Sequence, residues 1–84
     1  MANPMTDTAI AFDRDVDARG LNCPLPILRA KKALAALESG QVLKVVSTDP
    51  GSQRDFEAFA RQTGHELVRT DADKREWTFY LKHR

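Results

Sequence analysis

The sequence predicts an α/β fold, a two-layer sandwich with two helices on one face of a four-stranded mixed sheet, in the order βαβαββ. Three observations predict it. Two stretches carry apolar residues at three-four spacing, four others are short and alternating or rich in β-branched residues, and turns bearing glycine or proline separate them. A chain of 84 residues has room for one domain with one core. Stacking both helices on one sheet face is the simplest way to bury that core.

The elements follow in order. Residues 1–9, "MANPMTDTA", lack the charged-then-apolar layout of a signal peptide and read as a flexible tail, leaving 10–84 as the single domain. "IAFDRDVDARG" alternates Ile10, Phe12, Val16 and Ala18, with Arg14 interrupting, and reads as an edge-type strand. Gly20 and Asn22 mark a turn. The first helix is expected from Pro24 to Leu37. Proline suits a first helical turn because those amides have no intrahelical acceptor. Ile27, Ala30, Leu34 and Leu37 form the buried stripe, and Gly40 is expected to close the helix. "QVLKVVST" is the strongest strand. In the second helix Ser52 and Asp55 resemble a capping pair, Phe56, Phe59 and Ala60 face inward, and Gly64 ends it. "HELVRT" and "EWTFYLKH" form a closing hairpin around a polar turn "DADKR", with Trp77, Phe79 and Leu81 on the buried face.

Composition removes several function classes. Thirteen basic against twelve acidic side chains leave a formal net charge of +1, unlike the basic balance of a general nucleic-acid binder. No apolar run reaches the length of a membrane span. The single cysteine, Cys23, allows no internal disulfide and no structural zinc site, since His65 and His83 are remote from it in sequence. A reducing cytoplasm is the expected compartment. So small a chain does not enclose a substrate cavity of the usual enzyme size.

Chemistry is concentrated in "RGLNCPLPILRAKKALAAL". Cys23 stands at a loop-to-helix junction, where functional groups concentrate, and Pro24 and Pro26 stiffen the backbone that presents it. A free thiol of pKa about 8.5 is only about 3% ionised at pH 7, and a helix mouth with its unpaired amides is expected to raise that fraction. The two prolines oppose this by removing amide donors. The competing reading makes Cys23 a core residue, in helical register with Ile27, Ala30 and Leu34. A thioredoxin-like cycle needs a second cysteine. A hydrolase needs a base beside the sulfur, and His65 and His83 read as plain surface residues. A group taken onto the sulfur, carried and handed on fits best. A persulfide is such a group.

"DARGLNCPLPILRAKKAL" resembles the Cys-Pro-x-Pro signature of the TusA/SirA-like sulfur-carrier family, and "STDPGSQRDFEAFARQTGHELV" resembles its second segment, with Asp49–Pro50 and Arg54–Asp55 in place. The resemblance spans residues 10 to 82. It implies a two-layer α/β sandwich and a sulfur carrier whose Cys23 holds sulfane sulfur as a persulfide, with no cofactor. The donor it implies is a pyridoxal-phosphate-dependent cysteine desulfurase. The acceptor is a downstream sulfur-relay protein, as in tRNA wobble-uridine thiolation, although other branches serve molybdenum-cofactor enzymes, sulfur oxidation or selenium metabolism. Such a protein is a sulfurtransferase-type carrier rather than a stand-alone enzyme, and is expected to be a monomer that forms transient heterocomplexes. The chain departs from the family pattern at Phe56, where an aliphatic residue is expected. That departure bears on packing.

Further candidates surround the thiol. Arg19 and Asp49 are candidates to stabilise a thiolate. For Arg19 an ion pair with Asp17 is an equally good reading, and for Asp49 a plain turn role is the simpler one. Leu25 and Leu28 project away from the buried stripe and, with Arg29 and Lys32 of the basic cluster, form a candidate docking surface for the donor or acceptor. The alternative is a nucleic-acid-binding module, since the layout also looks like the C-terminal domain of a bacterial translation initiation factor, or a regulatory adaptor with a structural cysteine. The near-neutral charge and the lack of an aromatic-basic stripe argue against direct nucleic-acid binding.

Overall fold

The computed structural model describes residues 10–84; the tail expected over residues 1–9 lies outside them. The elements are β1 (Arg14–Ala18), α1 (Leu25–Ala35), β2 (Val42–Ser47), α2 (Ser52–Thr63), β3 (Glu66–Asp73) and β4 (Glu76–Lys82). The strands form one sheet in the order β1-β2-β4-β3. β1 runs parallel to β2, and the other two pairs are antiparallel, so the sheet is mixed as expected. α1 packs over β1 and β2, α2 over β3 and β4, and the helices touch each other.

The core follows from alternation on the central strands. Leu43, Val45 and Ser47 of β2 are buried, and Leu43 and Val45 pair with the buried Leu81 and Phe79 of β4. Ala30, Ala33 and Leu34 of α1 and Phe56 and Phe59 of α2 close over them. Phe56 is fully buried and stacks on Phe79, with ring centroids 4.4 Å apart. The departure at Phe56 is therefore a packing feature.

Several boundaries differ from the sequence expectation. β1 begins at Arg14, not Ile10. The Asp13 carboxylate accepts the Val42 amide at 2.8 Å, taking a donor that a longer ladder would use, and Phe12 instead lies against Lys44 Nζ. α1 ends at Ala35, and Gly40 does not close it. The amides of Ala36 and Leu37 make tight three-residue bonds to Ala33 and Leu34, while the amide of Gly40, with φ of 86°, donates to the carbonyl of His83. The Ser52–Asp55 capping pair does not form. Gly51 is the cap, and the buried Ser52 hydroxyl donates to the Asp49 carbonyl at 2.6 Å. The expected "DADKR" turn is shorter, because β3 pairs with β4 as far as Asp73↔Glu76. Only Lys74 and Arg75 turn the chain, both at positive φ (49° and 68°), as a two-residue hairpin loop twisted to suit its strands requires. The Gly64 cap forms as expected, its amide donating to Ala60.

Candidate functional site

Cys23 lies two residues before the first helical residue of α1 and is exposed. It is thus outside the helical register that would have carried it into the core. The segment that holds it is tied down at several points. The Gly20 amide donates to the Thr48 hydroxyl at 2.9 Å, joining this loop to the β2–α2 loop, and Gly20 itself has φ of 79°, where a side chain would be strained. The Leu21 amide donates to Ala18, and the Leu25 amide to Asn22. Pro24 caps α1, and Pro26, in the first turn, is fully buried. The Cys23–Pro24 peptide is cis.

The electrostatics reverse the expectation for a thiol at a helix mouth. Pro24 and Pro26 have no amide hydrogen, and the Leu25 amide is already engaged, so little of the positive helix end reaches the sulfur. The thiol instead donates a hydrogen bond to the carboxylate of Asp55, from the first turn of α2. That bond, with desolvation and the charges of Asp55 and Asp49, pushes the thiol above its ordinary range.

Each remaining candidate has a definite place. Arg19 does not serve the sulfur. Its guanidinium is bidentate on Asp17 at 2.9 and 3.0 Å and reaches Glu76 at 3.8 Å. The pair holds Asp17 at about 2, mainly through that side-chain bond. Asp49 does lie near the thiol, but its charge disfavours the thiolate rather than stabilising it. Its Oδ2 is buried and has no hydrogen-bond partner. Leu25 and Leu28 are 45% and 51% exposed, among the few large apolar side chains left open to solvent. Arg29 and Lys32 turn toward β1, lining with Arg14, Asp15, Val16 and Asp17 a groove of ≈ 790 Å³. Leu25, Leu28, Arg29 and Lys32 follow the three-four spacing of one helix face, the exposed one.

His65 and His83 meet each other, with ring centroids 4.7 Å apart, and border a cavity with Lys31, Phe59 and Arg84. His65 follows the last turn of α2 whereas Cys23 touches its first, so about 18 Å of helix separates the histidines from the sulfur. Neither histidine therefore stands beside the thiol. Among the described residues no group of three or more His, Cys, Asp or Glu could hold a metal, and no helix is long and apolar enough to cross a membrane.

Asp55 is the site residue that the sequence reading assigned elsewhere, as a partner of Ser52. The signal available was the Arg54–Asp55 pair itself. An acidic side chain without a capping partner is free to turn outward from its helix.

Comparison with known proteins places these features. Residues 14–83 match the model of the family described as Sulfurtransferase TusA. The chain is 59% identical to the sulfur carrier protein TusA of Allochromatium vinosum, over 84% of this chain and 93% of that protein. It is 37% identical to the TusA of Pseudomonas entomophila, over 93% of this chain and 95% of that one. The crystal structure of a SirA-like protein from Desulfitobacterium hafniense superposes with a TM-score of 0.74 at 31% identity, covering 83% of this chain and 96% of that chain.

Proposed function

The chain belongs to the TusA sulfurtransferase family, and we propose from that premise that it is a sulfur carrier, accepting sulfane sulfur as a persulfide on Cys23 and passing it to the thiol of an acceptor protein. The observation that carries the reading is the exposed sulfur itself. It is held by a loop pinned on both sides, with no second cysteine in the chain and both histidines remote from it. Hydrolysis and dithiol redox cycling both need such a partner; sulfur transfer needs only a visiting protein.

The step balances without an oxidant. The Cys23 sulfur attacks the outer sulfur of a donor persulfide, the donor's S–S bond breaks, and a new S–S bond forms on Cys23. The proton lost by Cys23 ends on the donor's released thiol. Delivery repeats the exchange with the acceptor thiol as the attacking group. The sulfur travels covalently and needs no cofactor.

The donor is a cysteine desulfurase and the acceptor the next cysteine of a relay such as tRNA wobble-uridine thiolation, in the cytoplasm. Direct contact with nucleic acid or membrane forms no part of this role. A carrier must release both partners, which suits a monomer that forms transient complexes. The exposed Leu25 and Leu28 beside the thiol support an apolar contact there, and Arg29 and Lys32 would steer an acidic partner.

The test is intact-mass measurement after incubation with a cysteine desulfurase and free cysteine. The expected result is a gain of one sulfur atom, reversed by reductant and absent in Cys23→Ser. No gain on the wild-type chain would overturn the reading.

A further inference from the structure

The end of α2 remote from Cys23 borders a cavity of ≈ 370 Å³. Its apolar lining is Leu34 and Ala35 of α1 and Phe59 of α2. Four basic side chains also line it, Lys31, His65, His83 and Arg84, and no acidic side chain does. Ligand pockets of this small size pair an apolar wall with a few converging polar groups. Arg84 holds the two rings. Its amide donates to His65 Nδ1 at 3.2 Å, and its main-chain oxygen lies 2.8 Å from His83 Nδ1. An amide only donates, so Nδ1 of neutral His65 carries no proton. A carbonyl oxygen only accepts, so Nδ1 of His83 carries one. Neither Nε2 atom has a hydrogen-bond partner among the described residues, and the ring centroids are 4.7 Å apart. The Lys31 ammonium and the Arg84 guanidinium likewise have no ion pair among the described residues. The carbonyl ends of α1 and α2, at Ala35 and Thr63, border the same cavity. At about −0.5 charge each they offset about one of the two fixed positive charges. The main-chain oxygen of Arg84 is engaged by the Ser39 hydroxyl at 2.7 Å. His65 registers the surplus. Burial and the charge interactions with His83 and Arg84 disfavour its protonation, and no acidic group favours it.

We propose that this cavity binds a small carboxylate with an apolar body, its charge met by Lys31, Arg84 and the histidine pair and its body packed against Leu34, Ala35 and Phe59. His65 presents Nε2–H as a donor in its neutral form, and His83 adds a second donor at Nε2 when protonated. A bound carboxylate favours a charged imidazole, an influence opposite in sign to the present neighbours of His65. A metal ion does not suit the same place. Among the described residues the two histidines gain no third ligand of the His, Cys, Asp or Glu kind, and two fixed cations border them. The inference goes beyond the carrier reading and does not rest on it, since about 18 Å of helix separates the cavity from the sulfur.

The test titrates the full chain with benzoate and follows backbone amide and histidine ring resonances by NMR. Benzyl alcohol, which keeps the ring and lacks the charge, and acetate, which keeps the charge and lacks the ring, are run in parallel at matched ionic strength. The expected result is saturable binding of benzoate with a dissociation constant on the order of 1 mM, the range open to so small a ligand. Shifts should centre on Leu34, Phe59, His65 and His83, and the titration midpoint of His65 should rise. Benzyl alcohol and acetate should each bind about tenfold more weakly or worse, because each loses one half of the recognition. Lys31→Gln and Arg84→Gln alter exposed side chains, so both variants should melt as the wild type does while binding benzoate about tenfold more weakly. No saturation by about 50 mM, shifts centred instead on Arg29 and Lys32, equal binding of all three probes, or unchanged affinity in both variants would overturn the inference. Loading of sulfur onto Cys23 is a separate measurement, and its failure would overturn the carrier reading alone.

Discussion

At its first turn α2 offers Asp55 to an exposed thiol, and beyond its last turn the chain passes through Gly64 into His65, whose ring packs near Phe59 and His83. Both ends hold a titratable group in its neutral form, by opposite means. Carboxylates surround the sulfur and push it up. Burial first, then the charge interactions with His83 and Arg84, push the imidazole down. Only the first end has a nucleophile open to solvent with exposed leucines beside it. The difference teaches that neutrality by itself does not mark the site. A reactive atom that a partner can reach does.

The largest expected effect would break both ends together. Phe56 lies between them, stacked on Phe79 and edge-on to Phe59. Phe56→Ala is expected to cost about 3–5 kcal/mol, a large share of the stability of so small a domain, read as a fall in urea midpoint. If the midpoint holds, the aromatic stack is not what joins the two ends.

The next change separates function from stability. Replacing Leu25 and Leu28 with Gln is expected to slow sulfur acceptance from a desulfurase about tenfold or more, the scale of a modest interface anchor, while moving stability by no more than about 0.5 kcal/mol. Mass-detected loading rates and thermal melts check the two parts. A melted variant would mean that the leucines are core.

pH sharpens the comparison, because the two ends weaken on opposite sides of neutrality. His65 is depressed in the folded state. As pH falls through about 6.5, the unfolded chain takes up a proton that the folded one resists, so stability drops with acid. The Cys23 thiol is raised. Above the ordinary thiol range the unfolded chain gives up a proton that the folded one keeps, so stability drops with alkali. Urea midpoints measured across pH are expected to show both limbs. His65→Gln should flatten the acid limb alone and Cys23→Ser the alkaline limb alone. Asp17 acts in a separate window, its contribution being lost only as pH falls from 3.8 toward about 2.

Arg19→Ala has the smallest expected effect. Solvent screens an exposed ion pair, so stability is expected to change little, and the thiol titration midpoint is expected to stay where it was. A moved midpoint would show that Arg19 reaches the sulfur after all.

The elements were legible because each rests on local spacing. The stripe through Ala30 and Leu34, the alternation of Trp77, Phe79 and Leu81, and the Gly64 stop can all be read within one turn or one strand. The errors lie where a distant group competes for the same backbone or side chain. Asp13 takes the Val42 amide and shortens β1, His83 takes the Gly40 amide, and the Asp49 carbonyl takes the Ser52 hydroxyl, which dissolves the expected cap.

The candidate site divides in the same way. That one cysteine stands between a turn and a proline-started helix, with leucines off the buried stripe, is a matter of sequence alone, since side-chain direction along a helix follows from its period. Which charges surround the sulfur was decided only by the tertiary structure. Arg19, close in sequence, is spent on Asp17, while Asp49 and Asp55, far along the chain, reach the thiol because the β2–α2 connection folds back against the loop that holds it. Electrostatic influence depends on distance through space, and the linear chain does not carry that distance.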